Sequence, residues 1–109
     1  MWDGSDAIYL LGGYRGSNYQ QYVYAYSISG NSFSTKTNLP ARRGWGGAFI
    51  HGGYIYYVGG ENMTAPQTTV YRASMSAATW TWSTRQPIPE ARSYYGGAYL
   101  GGKFWVTGG

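Results

Sequence analysis

Short apolar runs closed by paired glycines recur along the whole chain. Ile8-Tyr9-Leu10-Leu11-Gly12-Gly13 returns as Ile55-Tyr56-Tyr57-Val58-Gly59-Gly60, and more loosely as Phe104-Trp105-Val106-Thr107-Gly108-Gly109. Those spacings are 47 and 49 residues. A second series, Ala41-Arg42-Arg43-Gly44-Trp45-Gly46-Gly47-Ala48-Phe49-Ile50, aligns with Ala91-Arg92-Ser93-Tyr94-Tyr95-Gly96-Gly97-Ala98-Tyr99-Leu100 at 50 residues. Val23-Tyr24 reappears as Val70-Tyr71. A fixed period of this length makes each copy one supersecondary unit that buries its apolar face against the next.

Each period divides into four short strands. Residues 45–50 and 95–100 are apolar and run into His51-Gly52-Gly53 and Gly101-Gly102, which predict tight hairpin turns. Strands 54–58 and 103–107 follow directly, with 7–11 as the unpaired first copy. The third strands span about 21–28 and 68–75, and the fourth about 32–37 and 79–85. Thr79-Trp80-Thr81-Trp82-Ser83-Thr84 alternates small polar with large apolar side chains, the mark of a half-exposed outer strand. The chain thus reads as a leader (1–6), a first repeat (7–53), a second (54–102) and the start of a third (103–109).

Composition narrows the class. With 13 Tyr, five Trp and 18 Gly, the 109 residues favour strands and disfavour a helical bundle. Charged residues are only 11%, too few for a charged disordered tail, and the length allows one domain. The absence of Cys removes disulfides, thiolate metal sites and Cys nucleophiles without assigning a compartment. No apolar run approaches the roughly 20 residues that span a bilayer, so no membrane partner is expected. A phosphate-binding loop is disfavoured because no Gly-Lys-Ser/Thr and no helix follows any glycine pair.

The pattern resembles the kelch repeat, whose signature is an apolar strand ending in Gly-Gly, then a Tyr, then a Trp seven positions on. Gly12-Gly13, Tyr26 and Phe33 follow that order, with Phe for Trp. Gly59-Gly60 and Trp80 follow it in the second copy, with Ala73 at the Tyr position. The resemblance covers the chain beyond Ser5 and implies an all-β fold of four-stranded antiparallel propeller blades, here two blade equivalents.

Two such blades do not close a ring. The strands count 2-3-4, then 1-2-3-4, then 1-2, so an isolated chain leaves apolar faces in water, and large exposed apolar patches normally mark interaction sites. Strand 95–100 of one copy is suited to complete the sheet begun by strands 2–4 of another, with 103–109 and 7–13 competing for one slot. That contact is head-to-tail. The chain therefore reads as either a piece of a larger propeller or a subunit that completes one by assembly; for assembly a homotrimer of six blades is the favoured expectation, and a tetramer the next.

Strand alternation gathers the connections after strands 2 and 4 at one end. Tyr14, Arg15, Asn18, Arg42, Arg43, Glu61, Asn62, Glu90 and Arg92 fall there; His51 and the hairpins fall at the other. Four of the six Arg share the first end, and the planar guanidinium suits carboxylate and phosphate. The 50-residue alignment makes Arg42 and Arg92 equivalent, either as ligands for an anion or as structural partners of Glu90 and backbone carbonyls. Tyr9, Tyr56, Trp80 and Trp105 are expected in the core, whereas Tyr14, Tyr19, Trp45, Tyr94 and Tyr95 lie near the loops and could stack on a ligand. The expected binding set is Arg15, Arg42, Arg43, Arg92, Tyr14, Asn18, Trp45 and Tyr95, for an acidic peptide or small carboxylate.

Nucleic acid is disfavoured by the lack of a basic stripe or motif. The single His51 reads as a turn residue, and no metal or cofactor is expected. The resemblance also closes the copper radical oxidase branch, which needs several His and a Cys. It leaves a fragment of a kelch-type carbohydrate-active enzyme that processes sialic acid, with Glu61 or Glu90 as acid–base group, as the alternative to a non-catalytic scaffold.

Overall fold

A computed structural model describes residues 1–109, and all of its regular elements are strands. In chain order these are β1 (Ala7–Leu11), β2 (Tyr14–Arg15), β3 (Asn18–Tyr19), β4 (Val23–Ser27), β5 (Ser32–Lys36), β6 (Gly47–His51), β7 (Tyr54–Val58), β8 (Val70–Ser74), β9 (Trp82–Arg85), β10 (Gly96–Leu100) and β11 (Lys103–Thr107). They form antiparallel sheets ordered β1-β4-β5, β6-β7-β8-β9 and β10-β11, plus the small β2-β3 hairpin. Nine of the eleven match the strands read from the sequence. The β2-β3 hairpin is additional; it turns through Gly16, at φ 62°, within a stretch where sequence reading saw only a loop.

The first two large sheets share one register. Ile8 faces Tyr26 and Leu11 faces Val23, just as Ile55 faces Ala73 and Val58 faces Val70. The outer strands differ by two residues: Phe33 stands opposite Tyr26, but Trp82 stands opposite Ala73. Trp82 therefore occupies the position that the spacing assigned to Trp80. Trp80 lies just before β9 and is buried in the core instead.

Successive side chains of a strand point to opposite faces, so alternate positions meet between the sheets. Tyr9, Val23, Ala25 and Leu39 from the first sheet region pack on Ile55, Tyr57, Ala73 and Trp80 from the second. The Tyr9 and Trp80 rings lie 5.4 Å apart. Trp82 Nε1 donates to the Thr37 carbonyl across the same boundary at 2.9 Å. Gly52 and Gly53, at φ 58° and 79°, make the two-residue turn between β6 and β7 that only a residue without Cβ enters freely.

Two features differ from the sequence reading. The segment assigned as a leader lies along the outer edge of β1: Tyr9 N donates to Met1 O at 2.7 Å and Asp3 N to Ala7 O at 3.0 Å. Asp3 Oδ1 in turn accepts from the amides of Ser5, Asp6 and Ala7, which fixes the bend into β1. Trp105, expected in the core, is 53% exposed, because no further sheet packs on its face of the β10-β11 pair.

Core and third sheet therefore contribute unequally. Ile55→Ala removes a fully buried side chain and is expected to destabilise by roughly 2–5 kcal/mol, whereas Trp105→Ala stays within about 0.5 kcal/mol. Urea denaturation followed by circular dichroism checks both; equal losses would contradict this division.

Candidate functional site

Each long connection is sewn to its sheet by the same pair of backbone bonds. Gly13 N donates to Arg43 O (2.8 Å) and Arg43 N to Gln20 O (3.1 Å). In the second copy Gly60 N donates to Arg92 O (2.8 Å) and Arg92 N to Gln67 O (3.4 Å). The structural counterpart of Arg92 is thus Arg43, at 49 residues, and the expected equivalence with Arg42 is corrected by one position. Gly46-Gly47 and Gly96-Gly97 align by identity but not by place.

The corrected register brings Trp45 and Tyr94 into equivalence. Both adopt left-handed backbone conformations, at φ 58° and 53°. Such geometry is an outlier for bulky side chains, and strain of this kind concentrates at ligand clamps. Their rings stack at 4.7 Å with planes 16° apart, and Tyr94 N donates to Trp45 O at 2.9 Å. Both remain open to water, Trp45 at 44% and Tyr94 at 62%. Tyr14, on β2, extends the platform: its ring lies 6.4 Å from Trp45 and edge-on to Tyr19 at 5.1 Å.

Glu61 ties the platform together from beneath. Its backbone pairs with Gly44 in both directions, next to Trp45. Its carboxylate accepts the Tyr19 hydroxyl at Oε1 and Ser93 Oγ at Oε2, the latter at 2.9 Å. Three connections thus converge on one side chain. The Glu61 bond, aided by burial, holds the Tyr19 phenol on its proton up to about 12. The roles of Tyr19 and Ser93 were not visible in the sequence, because their partner Glu61 lies 42 and 32 residues away along the chain.

The expected binding residues separate into three groups. Arg15 and Arg42 are exposed, and neither engages a carboxylate. Tyr14, Trp45 and Asn18 are exposed as well, with the Asn18 carbonyl accepting from Gln20 Nε2 at 3.3 Å. Arg43 and Tyr95 instead turn inward. Arg43 is only 4% exposed; it donates to Arg42 O, Thr69 Oγ1 and Tyr71 OH, and its guanidinium lies over the Tyr71 ring. Arg43, expected in the binding set, is thus held in an architectural role by hydroxyls of β8 and of the residue leading into it.

Tyr95 OH donates to Val58 O at 2.6 Å, and burial raises its phenol strongly. Arg92 is intermediate, pairing with Glu90 at 3.1 Å and donating to Gly108 O at 3.2 Å. At the opposite end, His51 Nδ1 meets the Tyr99 hydroxyl. No group of three or more His, Cys, Asp or Glu comes together.

No protein-family model matches the chain, and no curated protein matches it.

Tyr19 and Tyr57 both hold their protons to about 12, Tyr57 through burial, against 10.0 for a free phenol. A raised native value stabilises the fold fully below pH 10, and that contribution is lost as pH rises through 12. Thermal melting is expected to fall across that window, with the last part of the tyrosinate absorbance rising in step with unfolding. Free titration of every phenol near pH 10 in the folded chain would exclude it.

Proposed function

We propose that this chain is a non-catalytic interaction scaffold of kelch-type blades, which completes a ring by self-association and takes an anionic peptide or small carboxylate at its loop end. The observation that carries the binding part is the pair Trp45 and Tyr94. Two bulky aromatics are held in strained backbone, stacked and left in water, where a purely structural role favours burial or glycine. Arg15 and Arg42 stand on the connections adjoining this platform with no carboxylate partner. A planar guanidinium beside stacked rings suits a ligand that combines a carboxylate with flat or apolar surface.

What supports the blade reading is the shared register of the first two sheets and the start of the same pattern in β10-β11. The contact between copies is heterologous, so the rotation per copy decides whether a ring forms; three copies give six blades. The alternative, a fragment of a sialic-acid-processing enzyme, calls on Glu61 or Glu90 as proton donor. Both oxygens of Glu61 already accept hydroxyls, and Glu90 pairs with Arg92, so the scaffold is the preferred reading.

Titration with an acidic peptide, followed by Trp fluorescence, tests the binding site. Arg15→Ala with Arg42→Ala is expected to weaken binding by roughly tenfold or more, and added salt to weaken the parent in the same way. Arg92→Ala is expected to have little effect on this binding. Unchanged affinity in the Arg15/Arg42 double variant, or turnover of a sialylated sugar that depends on Glu61, would overturn the assignment.

A further inference from the structure

Arg43 and Arg92 hold the same place in their connections but have different company. Arg43 reaches forward to the second sheet and donates to Thr69 Oγ1 and Tyr71 OH, each at 3.2 Å. Arg92 borders a cavity of about 350 Å³ with Ile88, Phe104 and Val106. Alongside lies a groove of about 390 Å³ on the far face of the second sheet, formed in part by Tyr56, Val70, Arg72 and Ile88. Only β10 and β11 lie beyond this face, and the positions matching β8 and β9 are open.

The face that fits this groove is present elsewhere in the same chain. By register, Tyr56, Val70 and Arg72 are the counterparts of Tyr9, Val23 and Ala25, the side chains of the first sheet that pack on the second. The second sheet meets those residues with Ile55, Tyr57, Ala73 and Trp82, and Tyr71 lies on the same face. Their counterparts on the first sheet are Ile8, Leu10, Tyr24, Tyr26 and Phe33. These five share one face, on which no other sheet packs; Phe33 is 65% exposed, Leu10 and Tyr24 are also open, and Ile8 and Tyr26 are half-buried. Both ends of the sheet stack thus present halves of a contact already made in its middle.

We propose that this outer face of the first sheet of a second copy docks in the groove, and that Arg92 donates to Tyr24 OH of the partner subunit as Arg43 donates to Tyr71 OH within the chain. The inference rests on the self-association reading and adds its contact residues. The partner subunit's Ile8 and Leu10 take the space that Phe104 and Val106 now fill, so β11 yields its slot. β1 stays, because its Tyr9 is anchored in the core while β11 has no buried residue. β10 then pairs along the β1 edge of the partner subunit, from which Met1–Asp3 depart. In the register of β6 with β7, Ala98 falls opposite Tyr9 of the partner subunit.

Sedimentation velocity on the full chain tests this, with circular dichroism to show that each variant is folded. The parent is expected to associate, and Arg92→Ala and Tyr24→Phe each to weaken association by roughly tenfold. The double variant is expected to be no weaker than either single one, since both remove one bond. Phe104→Ser is expected to strengthen association by loosening β11. A chain that stays monomeric at every concentration overturns both this contact and the self-association reading. Association indifferent to Arg92 and Tyr24, or additive losses, overturns the contact alone. Weaker association of Phe104→Ser overturns the yielding of β11.

Discussion

The loop end of this protein depends on the approach of a glycine to an arginine carbonyl. Gly12 and Gly59 end β1 and β7, and each lies against the carbonyl of the Arg that leads into the following sheet. A Cβ on Gly59 would sit 2.7 Å from Arg92 O, and one on Gly12 would collide with Arg43 O. The next amide, of Gly13 or Gly60, then bonds that same carbonyl. The pair therefore does two things at once: its first member makes room, and its second makes the bond. Both sit at positive φ, so any other residue meets steric strain as well as collision.

From that junction the rest of the site follows by geometry. Fixing Arg43 O against Gly13 aims the Arg43 side chain forward into the second sheet, where hydroxyls from β8 and its approach receive it. It also sets Gly44 beside Glu61, which brings Tyr19 and Ser93 onto one carboxylate. Trp45 and Tyr94 enter their strands from left-handed backbone as the chain leaves these junctions. The exposed rings are thus held by part-buried bonds that join three connections.

Much of this was legible in the residue pattern. The period, the glycine hairpins and nine strands follow from apolar runs and turn chemistry, which are local. Two of the errors share one cause. Gly46-Gly47 and Gly96-Gly97 look like anchors, yet the place of Gly46 is taken by Tyr95, and the one-residue slip paired Arg42 with Arg92 and sent Tyr95 to the ligand side. The burial of Arg43 was equally hidden, because Tyr71 lies 28 residues ahead and in another sheet. The Tyr14–Tyr19 hairpin carried a turn signal, Gly16-Ser17 flanked by polar residues and tyrosines, but its strands are too short for alternation to register.

The outer strands impose a directional rule. β5 presents Ser32, Ser34, Thr35 and Lys36, and β9 presents Ser83, Thr84 and Arg85; both strands are short, hydroxylated and end in a cation. Such an edge is a poor template for another strand, since desolvating a Lys or Arg opposes lateral pairing. The two ends of the stack, by contrast, are aromatic. Lateral strand pairing, the route to amyloid-like ribbons, is therefore disfavoured at these two edges even though the chain is tyrosine-rich and weakly charged.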